Sequence, residues 1–199
     1  MKLFWCEQSR AFRIVWMLEE LGEPYERVRV DFRSGEMQDD PEFRSASPMG
    51  KVPALIDGDA KLWDSGAICL YLADKYPQAG LGVPIDDPDR GRFVQWLMFT
   101  NAVIEPAMLE KFLEMPAKPT TYGHGGFEAM LDVLEAGLEP GPWVMGERFT
   151  AADVLLGSSV DVLDKFKLLP DRPKLKAYAE LCRERPALQK ALALNEPLT

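Results

Sequence analysis

Two kinds of apolar pattern occupy separate stretches of this chain. Short or alternating apolar runs stop by residue 63, and past the proline- and glycine-rich segment at 77–91 every apolar repeat falls at three- to four-residue spacing. A chain divided in this way reads as a mixed unit followed by an all-helical one. Lys2 to Trp5 is a short apolar run, and YERVRVD at 25–31 alternates Val28 and Val30 with charged neighbours, so both predict strands. Between them Ala11, Ile14, Val15, Leu18 and Leu21 line one helical face, and Gly22 follows where a helix commonly stops. A weaker helical stretch spans 37–46. VPALID at 52–57 and KLW at 61–63 predict two further strands, split by the turn pair Asp57-Gly58. Ser65 opens a helix with Ile68, Tyr71 and Leu72 on one face, ending near Tyr76 before Pro77. The order is βαβαββα, and the fold class is α+β with two domains.

The segment PQAGLGVPIDDPDRG at 77–91 has linker composition, so the reading is a first domain over 1–77, a linker over 78–88 and a helical domain over 89–199. Asp87-Pro88 is an N-cap followed by the residue favoured at the first helical position, and it predicts the start of a long helix that Pro106 should kink. Further helices are predicted at 126–138, 151–166, 173–185 and 187–195. FTAAD at 149–153 has the form of a capping box, with Thr150 and Asp153 satisfying each other's orphan N–H groups.

A net charge of −9 would repel polyanions, which excludes nucleic acid and anionic membranes as natural partners. Cys6, Cys69 and Cys182 are odd in number and contain no CxxC, which favours a reducing compartment over a disulfide framework. His124 is the one histidine and sits between glycines, so a metal site is not expected and a loop position is. The opening MKLFWCEQSR lacks the features of a signal peptide, and no apolar run reaches membrane-spanning length; the expected location is the cytoplasm.

The first strand runs through a tight polar loop, Cys6 to Ser9, directly into a helix. Such a junction exposes backbone N–H groups and a positive dipole end, and so suits an anion. The segment SRAFRIVWMLEELGEPYE at 9–26 resembles the start of soluble glutathione transferases, in particular bacterial and fungal members with SRxxR before a WxLEEL helix. The resemblance covers nearly the whole chain. It implies a thioredoxin-like first domain, and it names the anion as the glutathione thiolate. Lowering a thiol pKa by about two units from about 8.5 asks a site for roughly 2.7 kcal/mol. A charged hydrogen bond contributes about 1.5–3 kcal/mol and a helix N-terminus about 0.3–1, so a hydroxyl at that terminus meets the need. Ser9 is the candidate hydroxyl. Gln8 occupies the thiol-contacting position if the loop is shifted by one residue, and Cys6 is the third candidate, through a mixed disulfide with glutathione.

SPMGKVPALID at 47–57 resembles the family's loop in which a cis-proline follows a valine that pairs with the cysteinyl part of glutathione; here these are Val52 and Pro53, with Lys51 beside the glycyl carboxylate. WDSGAICLYLADKY at 63–76 resembles the family's acidic-Ser-x-x-Ile helix start, which places Asp64 on the γ-glutamyl ammonium and Ser65 on its carboxylate. Most relatives carry Glu or Gln where this chain has Asp64. Arg10 is expected to project towards the glutathione end and Arg13 to act as a structural ion-pair partner. Trp16, Trp96 and Phe99 read as packing residues. Met98, Asn101, Ala102, Glu105 and Tyr122 are candidates for a second-substrate pocket.

The activity implied is attack of the activated thiol on a small apolar electrophile, as in detoxification, by a homodimer that uses glutathione as co-substrate and needs no cofactor. Two alternatives accompany it. One is a glutathione-dependent disulfide reductase or peroxidase working through Cys6 or bound glutathione, and the other is a non-catalytic binding module with the same fold.

Overall fold

The computed structural model describes residues 1–32, 34–116, 118 and 120–195. The chain divides into two compact units, Met1–Ala79 with Arg185–Thr199, and Gly80–Glu184.

In the first unit, β1 (Lys2–Trp5), β2 (Glu26–Arg29), β3 (Ala54–Asp57) and β4 (Ala60–Trp63) form one sheet in the order β2-β1-β3-β4. β1 runs parallel to β2 and antiparallel to β3, and β3 is antiparallel to β4. A parallel β1–β2 pair needs a crossover, which α1 (Ala11–Leu21) supplies. Ile14, Val15, Trp16, Met17 and Leu18 of α1 are buried, and Gly22 ends the helix at φ 72° with its N–H donated to the Leu18 carbonyl. On the other side Phe4, Val30, Phe43, Ala46 and Ala54 form a core, with the Phe4 and Phe43 rings 5.3 Å apart. These contacts seat α2 (Pro41–Ala46) on the sheet.

Two boundaries differ from the sequence reading for identifiable reasons. The helix expected over 37–46 begins at Pro41, because the Asp40 side chain caps it through the Phe43 N–H at 2.8 Å and proline takes the first position. The hairpin turns at Gly58-Asp59 and not at Asp57-Gly58, because Asp57 is still in the ladder opposite Ala60. Gly58, at φ 62°, provides the positive dihedral that a two-residue hairpin loop requires. The Asp57 carboxylate instead takes the Lys75 ammonium at 2.6 Å and the Tyr71 hydroxyl at 3.2 Å, both from α3 (Ser65–Lys75).

The expected helical domain, drawn to residue 199, loses its last helix to the first unit. α9 (Pro186–Leu194) packs on α1, where Arg185 pairs with Glu20 and Lys190 with Glu19.

The second unit holds α4 (Arg90–Phe99), α5 (Glu105–Phe112), α6 (Phe127–Gly137), α7 (Ala151–Lys165) and α8 (Pro173–Arg183). α4 begins two residues after the expected Pro88: Asp87 makes a local turn, accepting the Asp89 N–H on its side chain at 2.8 Å and the Arg90 N–H on its carbonyl at 3.0 Å. The break expected at Pro106 is a wide π-type turn over Thr100–Ile104, closed by the Glu105 N–H on the Thr100 carbonyl. Proline at 106 crowds the carbonyl four residues back, which is Ala102 inside that turn, and the extra residue relieves the crowding. α7 is buried along most of its length and opens on the expected capping box, in which the Thr150 N–H donates to Asp153 Oδ2 at 2.9 Å. Among the described residues no helix is long and apolar enough to cross a membrane.

Candidate functional site

Strand register decides which loops of the first unit meet. Val28, Phe4, Ala54 and Trp63 stand in one row across the sheet. β1 leaves this row towards Cys6, β3 enters it from Pro53, and β4 leaves it towards Asp64. Cys6–Ser9, Lys51–Pro53 and Asp64–Ser65 therefore gather at one end of the sheet, although more than fifty residues of sequence separate the first from the last.

The first of these segments is tightly bonded within itself. The Ser9 hydroxyl donates to the Cys6 carbonyl at 2.7 Å and accepts the Ala11 N–H at 3.2 Å, so Ser9 Oγ sits at the approach to α1, half-buried, with the helix's first N–H polarising it. Arg10, exposed and of helical φ, ψ, makes the step into the helix. Gln8 is exposed and left-handed at φ 53°, a conformation costing a non-glycine residue about 1–2 kcal/mol, and its N–H donates to the Asn195 side chain at 3.3 Å. Cys6 is half-buried with its Sγ 3.7 Å from Glu7 Oε2, and burial followed by the Glu7 charge pushes its thiol above the ordinary range. Glu7 is held below the usual carboxylate range by Arg29, whose Nε lies 2.6 Å from Glu7 Oε1. The thiol of Cys6 is therefore kept protonated, the opposite of an activated cysteine.

In the second segment the Val52–Pro53 peptide bond is cis, as the resemblance implied. Pro53 is buried, Val52 half-buried and Lys51 exposed. The loop is shaped by Ser47, which is fully buried: its hydroxyl accepts the Lys51 N–H at 2.9 Å and donates to the Lys51 carbonyl at 2.7 Å. Ser47 was missed in the sequence, where nothing local distinguishes it from Ser45.

The third segment starts α3. Asp64 Oδ1 accepts the Gly66 N–H at 2.9 Å and the Ala67 N–H at 3.2 Å, from a strained backbone at φ 74°. Two of the N–H groups at the start of α3 are thus taken by Asp64 itself. A carboxylate offers about four lone-pair positions, so this capping leaves room for an ammonium as well. Ser65 is buried. Arg13 is buried in α1, and its charge reaches Cys69 on α3, where burial nonetheless pushes the thiol up to about 12.

In the second unit Trp96 is buried with Phe99 packed edge-on at 5.3 Å, and Trp16 of the first unit is fully buried. Met98 is exposed on α4, Asn101 and Ala102 lie in the wide turn, Glu105 starts α5, and Tyr122 is in the loop before α6. Regular helical spacing would put 98, 101, 102 and 105 on one face, but the extra residue of the wide turn breaks that register. None of the five lines the cavity of about 610 Å³ in this unit, whose walls include Glu110, Lys111, Phe127 and Leu168. His124 occupies a loop, as expected, but is not idle there. Its Nδ1 accepts the Gly126 N–H at 3.2 Å and its Nε2 lies 3.3 Å from the buried Glu110. Among the described residues no three His, Cys, Asp or Glu side chains cluster as a metal site.

Residues 1–74 match the model of the glutathione S-transferase N-terminal domain, and 107–181 that of the C-terminal domain. A glutathione S-transferase of Arabidopsis thaliana is 32% identical over 91% of each chain. A disulfide-bond oxidoreductase of Escherichia coli is 29% identical over 96% of this chain and 93% of its own. The solved structure of a sphingomonad glutathione S-transferase complexed with glutathione superposes over all of both chains with a TM-score of 0.80 at 28% identity. With both domains matched in order and a relative above 30% identity over nine-tenths of its length, the chain belongs to the glutathione S-transferase family of enzymes.

Proposed function

We propose that the protein binds glutathione across Cys6–Ser9, Lys51–Pro53 and Asp64–Ser65 and activates its thiol for attack on a small apolar electrophile. The observation that carries this reading is the convergence of those segments at one sheet end. A related glutathione S-transferase with the same fold binds glutathione, which supports the same ligand here. Val52 offers its backbone to the cysteinyl part, Lys51 and Arg10 neutralise carboxylates, and Asp64 with Ser65 receives the γ-glutamyl end. The helical unit supplies the second-substrate pocket, and the working form is a homodimer, which light scattering tests.

In this mechanism Ser9 is the thiolate donor. Its hydroxyl turns from the Cys6 carbonyl to the sulfur while the Ala11 N–H continues to donate to Oγ, which strengthens the hydroxyl as a donor. No covalent protein intermediate is needed; thiolate stabilisation and proximity supply the rate. Ser9→Ala should lower kcat about ten- to a thousandfold in a conjugation assay, the loss typical of one oxyanion-type donor, with glutathione affinity little changed. Unchanged turnover would move the role to Gln8 or Cys6.

A second reading, glutathione-dependent disulfide reduction, is favoured by the likeness to the Escherichia coli oxidoreductase. In that reaction the bound glutathione thiolate attacks one sulfur of the disulfide, breaking its S–S bond, releasing one substrate thiol and forming a mixed disulfide that a second glutathione cleaves to give oxidised glutathione. Cys6, held protonated, takes no covalent part. Comparing disulfide reduction with conjugation on the same preparation separates the two.

A further inference from the structure

The C-terminal end of α9 is fastened to both flanks of the Cys6–Ser9 loop. On one flank Arg27 lies over the Trp5 ring, 4.6 Å from its centroid, and donates through Nη1 to the Leu194 carbonyl at 2.7 Å. Trp5 is the residue immediately before the loop. On the other flank the Gln8 N–H, from the left-handed residue of the loop, donates to Asn195 Oδ1 at 3.3 Å. A backbone N–H can only donate, so the amide must turn its oxygen to Gln8. Asn195 is neutral, so it can hold this loop without repelling a thiolate there. The Asn195 N–H returns to the Leu192 carbonyl, which fixes the residue to its helix. The helix in turn is fixed to α1 by the pairs of Arg185 with Glu20 and Lys190 with Glu19.

We infer that Asn195 is a positioning residue for thiol activation: it holds Gln8 in its left-handed conformation and so sets the loop from which the sulfur is stabilised. The inference rests on the glutathione reading above. It adds the last helix, far away in sequence, to the machinery of the thiol end. The residue acts through Gln8 and its neighbours.

Two variants and two readouts test it. Asn195→Ala removes the acceptor, so the Gln8 amide proton should exchange about five- to tenfold faster by NMR, the equivalent of one lost hydrogen bond. In the same variant kcat/KM should fall by a similar factor, and the ionisation seen in its pH profile should move to higher pH. Asn195→Asp keeps the acceptor, so Gln8 should stay protected, while the added negative charge moves the pH profile up by about half a unit or more. If Asn195 only ends its helix, Asn195→Ala changes the melting temperature and leaves both Gln8 exchange and the pH profile as they are, which overturns the inference. A wild-type enzyme that turns over glutathione while Asn195→Ala matches it in both readouts overturns this inference alone. Wild-type protein that fails to bind glutathione at millimolar concentration overturns the functional reading and this inference together.

Discussion

Arg185 and Glu20 meet as a two-pronged pair, with Nε on Oε1 and Nη2 on Oε2, each at 2.6 Å. The Trp16 indole N–H adds a third donor to the same carboxylate at 2.8 Å, and only 7% of the Glu20 side chain is exposed. This pair decides where the last helix goes. A buried carboxylate on α1 needs a cation of fixed geometry, and arginine provides the matching fork.

Removing one partner of a largely buried pair leaves the other charge uncompensated. Arg185→Ala should therefore destabilise the first unit by about 2–4 kcal/mol. Lys190→Ala should cost less than about 1 kcal/mol, because its side chain is 69% exposed and water already screens the pair with Glu19. Urea denaturation followed by tryptophan fluorescence checks the ranking. Equal midpoints for the two variants would show that the fork does not anchor α9.

Asp153 sets a pH dependence of opposite sense to that of an ordinary salt-bridged carboxylate. Burial pushes its pKa from 3.8 up to about 6, against donations from the Val144 and Thr150 N–H groups and the Tyr178 and Thr150 hydroxyls. Between those two values the native state holds more protons than the unfolded chain. The contribution is therefore complete below the unfolded pKa and is lost as pH rises through about 6, a change of at most about 3 kcal/mol. Asp153→Asn has no such proton. It should be less stable than wild type at pH 4 by about 1–3 kcal/mol, since one acceptor becomes a donor facing donors. That gap should narrow towards pH 7. Urea midpoints at intervals across this range measure it, and a gap that widened with pH would contradict the assignment.

What the sequence made legible was what is encoded locally. The apolar run at Leu3 to Trp5 marks its own strand, Gly22 stops its own helix, and Thr150 and Asp153 cap within one turn. The features missed are settled by distant partners. Asp57 extends the ladder because Ala60 pairs with it, so the hairpin turn moves one residue on. α9 is amphipathic in the ordinary way, and its periodicity shows that it needs a partner without saying that Glu19 and Glu20 of α1 are waiting. The same holds at the candidate site. The cis bond before Pro53 and the cap at Asp64 sit in short motifs, whereas Asn195 reaches Gln8 across 187 residues with no local signal.

The chemistry of Cys6 gives the remaining prediction. Burial is the largest influence on its thiol and the Glu7 carboxylate the next, both raising the pKa, while Arg29 pulls weakly the other way. Glu7→Gln removes a negative charge and the carboxylate that accepts the S–H, and it frees the Arg29 guanidinium from its 2.6 Å partner. Each change favours the thiolate, so Cys6 should be alkylated by iodoacetamide several-fold faster at pH 7.5 in the variant. Cys69 and Cys182 are buried and serve as internal controls in the same mass spectrum. In wild-type protein the slow reaction at Cys6 should extend to oxidised glutathione, with no mixed disulfide accumulating at neutral pH. A glutathionyl adduct on Cys6 of the wild type would show that the Glu7 carboxylate does not hold the thiol back, and would return this cysteine to the reaction.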